Sequence, residues 1–369
     1  MNKQLNIIIS GGGTGGHIYP AVSIANAIKD IMPDAKILFI GANGRMEMEK
    51  IPAAGFEIKG IDIIGLQRKL SLKNILLPYY VLKSIQQVKK IFKEFQPDIV
   101  IGTGGYVSFP VLFTAQLLSI PTYIQEQNAY AGLANKLLSK KAKKIFVAFD
   151  NLDKFFPKDK LVVTGNPVRQ DLLNIQALKK EALSFFSLSE NKPVLLVLGG
   201  SLGARSINDA IKNNIDFFIQ NNIQLIWQMG KNYYSQLSDE FKNYLQQHNI
   251  FFNDFIYEMP MAYAAADIIL SRAGASTIAE LAVVGKPAIL VPSPNVTDDH
   301  QTKNALALAN KNAALVIKDN QLANELIKNI EQIIKNSQIQ KLLSENIKQF
   351  AKPFAAKEIA QSILNDFIK

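Results

Sequence analysis

Residues 5–17 read Leu-Asn-Ile-Ile-Ile-Ser-Gly-Gly-Gly-Thr-Gly-Gly-His, and an amphipathic stretch over 18–31 follows directly. A short β-branched run that empties through glycines into a helix is the opening of a βαβ unit. Such a junction also suits an anion, because bare backbone N–H groups and the positive end of the helix dipole converge there. The pattern recurs at Gly102-Thr103-Gly104-Gly105, after Asp98-Ile99-Val100-Ile101. It recurs again at Gly199-Gly200-Ser201-Leu202-Gly203-Ala204-Arg205, after the apolar run 194–198. Three phosphate-sized cradles imply two phosphorylated ligands.

Working outward, apolar runs at 5–10, 36–40, 98–101, 121–125, 144–148 and 161–164 alternate with helix-like segments, the longest over 72–95. After the turn-rich Gly165-Asn166-Pro167-Val168 the pattern restarts, with runs at 194–198, 224–228, 250–253, 268–271, 288–291 and 314–317. This predicts an α/β chain of two Rossmann-like domains, with parallel sheets facing a deep cleft at the carboxyl ends of their strands. The expected boundaries are 1–165 and 166–350, with the amphipathic tail 351–369 packing back on the first domain.

The 369 residues, 48% of them apolar, suffice for large cores. A formal charge of +10 asks for an anionic partner without naming it. No cysteine is present, so disulfides and thiolate metal sites are excluded. Neither a signal-peptide core nor an apolar window of about twenty residues occurs, which predicts a soluble cytoplasmic protein.

Gly11, Gly13 and Gly16 match the dinucleotide fingerprint, but the expected second strand ends Ile40-Gly41-Ala42-Asn43, without the acid that holds a ribose. Gly230-Lys231-Asn232 lacks the hydroxyl of a Walker loop. Both observations argue against nicotinamide, flavin and ATP chemistry. Five glycines in seven residues, with His17 at the mouth, also argue against a turn that binds nothing.

Glu126 closes a strand where sites of this fold are built. In Ser271-Arg272-Ala273-Gly274-Ala275-Ser276-Thr277-Ile278-Ala279-Glu280, small residues admit a ligand and a helix begins. The segment reads as a diphosphate cradle, with Glu280 a turn further in to accept from ribose hydroxyls. A capped helix with Glu280 as dipole complement is the competing reading.

Together these residues carry a resemblance. Gly-Gly-Gly-Thr-Gly-Gly-His-Ile-Tyr-Pro-Ala (11–21), Gly-Thr-Gly-Gly-Tyr-Val-Ser-Phe-Pro (102–110), Glu-Gln-Asn (126–128), Gly-Asn-Pro-Val-Arg (165–169), Gly-Gly-Ser-Leu-Gly-Ala-Arg (199–205) and Ser-Arg-Ala-Gly-Ala (271–275) resemble glycosyltransferase family 28, in unbroken order. The resemblance implies a GT-B fold and inverting transfer of N-acetylglucosamine from UDP-N-acetylglucosamine to undecaprenyl-linked lipid I, giving lipid II for peptidoglycan. Carried over, Arg169 and Ile256 lie near uracil, Glu280 on the ribose, and Ser201, Ser276 and Thr277 on the diphosphate. Asn128, Ala275 and Gln301 face the sugar, and Thr14, Gly15 and Gly16 also contact the sugar nucleotide. Gly12, Gly13, Thr14, Gly104, Gly105 and Tyr106 hold the acceptor's diphosphate. His300-Gln301 departs from the family's adjacent glutamines, which leaves open which of the two reads the sugar.

In that setting His17 is the expected base, with Glu126 as competitor or orienting group, and Arg272 is expected on the leaving diphosphate. No cofactor or metal is required, although a divalent cation would be compatible. A second expectation concerns location. Lys69, Lys73, Ile75, Leu76, Tyr79 and Leu82, with Lys140 from a second basic cluster, form a basic and apolar face suited to an anionic inner-membrane surface. Nucleic acid is the rival partner, but no binding module for it appears. Neighbouring readings are a GT-B enzyme with another acceptor, a UDP-N-acetylglucosamine 2-epimerase and a UDP-sugar-binding regulatory protein.

Overall fold

The computed structural model describes residues 4–65, 75–200, 203–296 and 299–368. These form two compact units, Met1–Val168 with Phe354–Lys369, and Arg169–Pro353.

In the first unit, β1 (Asn6–Gly11), β2 (Lys36–Ala42), β3 (Glu57–Ile61), β4 (Ile99–Gly104), β5 (Thr122–Glu126), β6 (Lys144–Val147) and β7 (Leu161–Val163) pair in parallel, in the order β3-β2-β1-β4-β5-β6-β7. Ile7, Ile8 and Ile9 are all fully buried, so β1 is covered on both faces, as a continuous apolar run in a parallel sheet requires. The helices are α1 (Gly15–Ile31), α2 (Glu47–Ala53), α3 (Leu77–Phe95), α4 (Ser108–Leu117) and α5 (Leu133–Leu138). α1 starts ahead of the expected 18 because Gly15 and Gly16 are already helical. β3 is absent from the expected set. Its sequence Glu-Ile-Lys-Gly-Ile has few apolar residues because it is an edge strand, partly exposed.

In the second unit, β8 (Val194–Leu198), β9 (Gln224–Gln228), β10 (Phe251–Asn253), β11 (Ile268–Ser271), β12 (Ala288–Leu290) and β13 (Leu315–Val316) form a parallel sheet in the order β10-β9-β8-β11-β12-β13. Around it lie α6 (Arg205–Asn213), α7 (Met259–Ala265), α8 (Ala275–Val284) and α9 (His300–Ala309). The chain then returns to the first unit as α10 (Ala355–Ile368), whose Ile359 and Ile363 join the cluster of Ile24 and Ile28 on α1.

Strand order reverses between β1 and β4 in one unit and between β8 and β11 in the other. Ligands of open α/β sheets bind outside the carboxyl ends at such a reversal. The glycine stretches that begin at Gly11, Gly102 and Gly199 each end a strand at one of these two points.

Candidate functional site

At the first reversal the loops after β1 and β4 meet backbone to backbone. Gly105 has φ +80, and a Cβ there would collide with the Gly12 carbonyl, so only glycine allows this approach. Thr103 Oγ1 donates to the His17 carbonyl at 2.8 Å and ties the start of α1 to β4.

His17 is half-buried. Its Nδ1 lies 3.0 Å from the Gly12 carbonyl and 3.3 Å from Thr14 Oγ1. A carbonyl only accepts, so Nδ1 carries a proton, and in the neutral ring the lone pair is then on Nε2. The ring stands over the end of β4: a Cβ on Gly104 would lie 2.9 Å from His17 Cδ2 and 3.2 Å from Nε2.

Glu47 was not among the expected residues. Fully buried at the start of α2, it accepts from Gly13 N at 3.0 Å and from Ala42 N at 3.1 Å. In place of the expected phosphate, the Gly13 amide meets a carboxylate, which would repel an anion, and the Gly12 amide donates to the Gly104 carbonyl at 3.4 Å. The first amides of α1, at Gly15 and Gly16, have no acceptor within the helix, as at any helix start, and Thr14 precedes them without a side-chain cap. Of the acceptor-side residues, Gly104 and Tyr106 adjoin this loop. A Cβ on Gly13 would touch the Tyr106 ring at 3.3 Å.

Glu126 is buried and its oxygens are taken. Asn128 N (3.1 Å) and Nδ2 (3.3 Å), Gly132 N (2.9 Å) and Asn135 Nδ2 (2.9 Å) all donate to it. The carboxylate thus closes the 127–135 loop on itself, Asn128 included. Asn135, also missed in the sequence, presents an Oδ1 that is buried and has no hydrogen-bond partner among the described residues. Asn166 joins the same loop, accepting from Gln125 Nε2 at 2.9 Å and donating to the Gln127 carbonyl at 3.0 Å.

The second reversal is built differently. Gly203, at φ +77, passes so close to the Met229 carbonyl that a Cβ would clash. Gln228 Nε2 supports the Gly200 carbonyl at 3.2 Å. Ser201 lies outside the described residues.

Gly274 precedes α8 and offers no side-chain cap, and the amides of Ser276 and Thr277 have no acceptor within the helix, as at any helix start. Ser276 Oγ is buried and has no hydrogen-bond partner among the described residues. A helix start without a side-chain cap and with such a hydroxyl inside it is suited to a phosphate.

One turn on, Glu280 is partly exposed, and Tyr263 Oη donates to its Oε2 at 2.9 Å. Burial raises the Glu280 carboxyl above the usual range, while the Tyr263 hydrogen bond and the Arg169 charge pull it back. Arg169 is itself held by Asp171, at 3.1 Å from Nε and 2.6 Å from Nη2. Ile256 is buried, so what it offers a base is its main chain. Gln301 Oε1 accepts from Ser293 N at 2.9 Å, while His300 opens α9 beside it.

Arg272 needs a correction. Its guanidinium is bound by Asp319, by the Val291 carbonyl at 3.1 Å and by Ser206 Oγ at 2.9 Å. It braces the ends of β11 and β12 and is not available to a leaving group.

On the first unit, α4 packs between α3 and α5. The second half of α3 is core, through Val88, Ile91 and Phe92, whereas its start exposes Tyr79 (60%) and Leu82 (64%), with Ile75 (72%) and Leu76 just before it. Leu133 and Leu137 of α5 are also exposed, and Lys140 is exposed beyond them. Lys69 and Lys73 lie outside the described residues. Lys83 and Lys144 are committed internally, each at 2.8 Å, to Asp62 and Asp366. No described helix is long and apolar enough to cross a membrane.

Comparison with known proteins places these features in context. The glycosyltransferase family 28 N-terminal domain matches residues 7–147 and the family's C-terminal domain matches residues 194–362. The chain is 53% identical over 323 residues to the UDP-N-acetylglucosamine–N-acetylmuramyl-(pentapeptide) pyrophosphoryl-undecaprenol N-acetylglucosamine transferase of Flavobacterium psychrophilum, covering 88% of this chain and 87% of that one. It is 55% identical over 326 residues to the protein of the same name from Cytophaga hutchinsonii, with 88% and 87% covered. Among solved structures, MurG of Acinetobacter baumannii superposes with a TM-score of 0.76 at 28% identity, covering 98% of this chain and all of that one. A UDP-GlcNAc 2-epimerase from Neisseria meningitidis, bound to UDP-GlcNAc, shares the fold at 16% identity (TM-score 0.65, covering 98% and 100%).

Proposed function

The chain belongs to glycosyltransferase family 28, and on that premise we propose how its residues divide the work of moving N-acetylglucosamine from UDP-N-acetylglucosamine to the muramoyl hydroxyl of lipid I, which yields lipid II for peptidoglycan. It is an N-acetylglucosaminyltransferase with a GT-B fold. The second unit takes the sugar nucleotide. Ser276, Thr277 and the α8 amides meet the diphosphate, Glu280 accepts from the ribose, and Arg169 and the main chain at Ile256 lie toward uracil. Ala275, Gln301 and Asn128 serve the sugar, along with Gly15 and Gly16.

The first unit takes the acceptor and its proton. The acceptor oxygen attacks the anomeric carbon, the bond to UDP breaks with its electron pair leaving on the diphosphate, and configuration inverts. His17 Nε2 receives the hydroxyl proton. Negative charge grows on the leaving diphosphate, and the positive end of α8 stabilises it. The saturation of Glu126 supports reading it as the organiser of the Asn128–Asn135 loop instead of the base. The reading calls for no cofactor, and a divalent ion carried by the phosphates themselves is compatible with it.

The observation that carries this division is the start of α8, which has no side-chain cap, with a buried Ser276 hydroxyl that has no hydrogen-bond partner among the described residues, one turn before Glu280. The test is UDP release from UDP-N-acetylglucosamine in the presence and absence of lipid I or a short-chain analogue. Release that depends on the acceptor is expected. Interconversion of the sugar without acceptor, or no turnover with it, would overturn the reading.

The exposed apolar start of α3, with Lys140 and the outer face of α5, supports peripheral attachment to the cytoplasmic face of the inner membrane through anionic lipid. Each lysine near such a surface contributes about 1 kcal/mol. Sedimentation with anionic and neutral vesicles tests this. Preferential binding to anionic vesicles is expected, and negligible binding to both would sink it.

A further inference from the structure

We propose that Tyr263 is a positioning residue for nucleotide recognition: its hydroxyl holds one oxygen of Glu280 so that the other is presented to the ribose hydroxyls. The inference deepens the assignment of Glu280 to the ribose and rests on it.

Three observations support it. Tyr263 lies on α7 with 1% of its surface exposed, yet its hydroxyl reaches across to α8 and donates to Glu280 Oε2 at 2.9 Å. A buried phenol must find an acceptor, and here that acceptor is the only carboxylate in the first two turns of α8. Glu280 itself remains partly exposed, so the oxygen not facing Tyr263 is open to a ligand. A carboxylate on a flexible glutamate stem sweeps several rotamers, and one fixed oxygen leaves a single orientation for the other.

The charged and titratable groups around Glu280 are few. Arg169 and Tyr263 favour its ionised form, Asp171 disfavours it, and Asp171 is itself paired with Arg169. The ionised form is the one that accepts from two hydroxyls at once. Removing the phenol hydroxyl therefore has two effects: the carboxylate loses its orientation, and it loses a donor that favours ionisation.

The experiment compares the affinity of the full chain for UDP and for 2′,3′-dideoxy-UDP, in wild type, Tyr263→Phe and Glu280→Gln, across pH. Wild type should prefer UDP by about tenfold or more, the scale of two hydrogen bonds to a carboxylate. Y263F should lose most of that preference. The acidic limb of its UDP binding should move to higher pH, because a group that lowers the carboxyl's pKa is gone. At saturating donor, kcat should stay within about twofold of wild type, as for a loss of uniform binding.

The preference ratio is internal to each variant and does not depend on the fraction folded, so poor folding of Y263F leaves the test intact. If wild type or E280Q shows that the ribose hydroxyls and Glu280 contribute nothing, the assignment of Glu280 fails. If E280Q loses the preference while Y263F keeps it with an unmoved acidic limb, the role of Tyr263 alone is overturned.

Discussion

The crevices at β1/β4 and β8/β11 arise from the same topology and from similar glycine-rich strand ends, yet they are finished in opposite ways. In the first unit the loop is closed inward. A buried carboxylate, Glu47, takes the Gly13 amide, and the Gly12 carbonyl takes the proton on His17 Nδ1. In the second unit the helix start carries no side-chain cap, with Gly274 before it and Ser276 Oγ without a hydrogen-bond partner among the described residues. A glycine-rich turn before a helix is therefore not one device. Whether it cradles an anion or aims a base depends on what the rest of the domain places against its amides.

The largest expected effect tests the inward half. His17→Ala should lower kcat by about a thousandfold, within the usual range for a general base, with UDP affinity within about twofold. Steady-state kinetics with saturating substrates checks it, and near-normal turnover would move the proton elsewhere.

Next, Gly274→Asp would give α8 the cap it lacks. The backbone at Gly274 (φ −66) accepts a side chain, and a Cβ there meets only Thr277 Oγ1 at 3.5 Å. The helix should gain about 1 kcal/mol from the cap. UDP affinity should fall about a hundredfold, because the carboxylate occupies the phosphate's place at a few ångströms' range. Calorimetry and thermal unfolding read the two signs separately. A variant that is more stable and still binds UDP normally would break the contrast.

Glu47→Gln turns the first loop's problem around. An amide has one acceptor oxygen for two backbone donors, so one buried N–H is left facing an NH2 group, at a cost of about 2 kcal/mol. The Tm of the first unit should drop by about 5 °C.

The smallest effect lies outside both crevices. Hydrogen bonds from Lys83, Asn43 and Gln87 hold the Asp62 carboxyl down at about 2. A depressed carboxylate stabilises the fold above its unfolded pKa and loses that contribution as the pH falls through about 2. Lys83→Met should therefore cost about 0.5 kcal/mol at neutral pH, as exposed ion pairs do. The difference from wild type should vanish in thermal scans near that acidic limit.

Much of this architecture is visible in the residues themselves. The runs at 194–198, 224–228 and 268–271 coincide with β8, β9 and β11, because strands buried on both faces are continuously apolar. β3 escapes notice because an edge strand with Lys59 and Gly60 carries no such run. The glycine loops stand out for the same local reason.

What completes the site does not stand out. Glu47 acts on Gly13 from 34 residues away, Asn135 on Glu126 from 9 and Tyr263 on Glu280 from 17. Nothing in a glutamate at the start of α2 announces that it folds back onto a loop two elements earlier. Arg272 shows the converse error. Its motif neighbours suggest a phosphate partner, but Asp319, far along the chain, already holds it.

The return of α10 to α1 bears on how the protein is made. The first unit is discontinuous in sequence, and the cluster that holds Ile24 and Ile28 of α1 is completed only when Ile359 and Ile363 arrive, with Asp366 then bonding Lys144 and Tyr123. On the ribosome, the first 168 residues emerge with that cluster incomplete. They must wait while the whole of the second unit is translated, at about 5–20 residues per second. Domains read in order usually also mature in order. Here the domain that starts first finishes last, and a chain interrupted shortly before Ala355 would leave the beginning of the protein, not its end, exposed to chaperones and proteases.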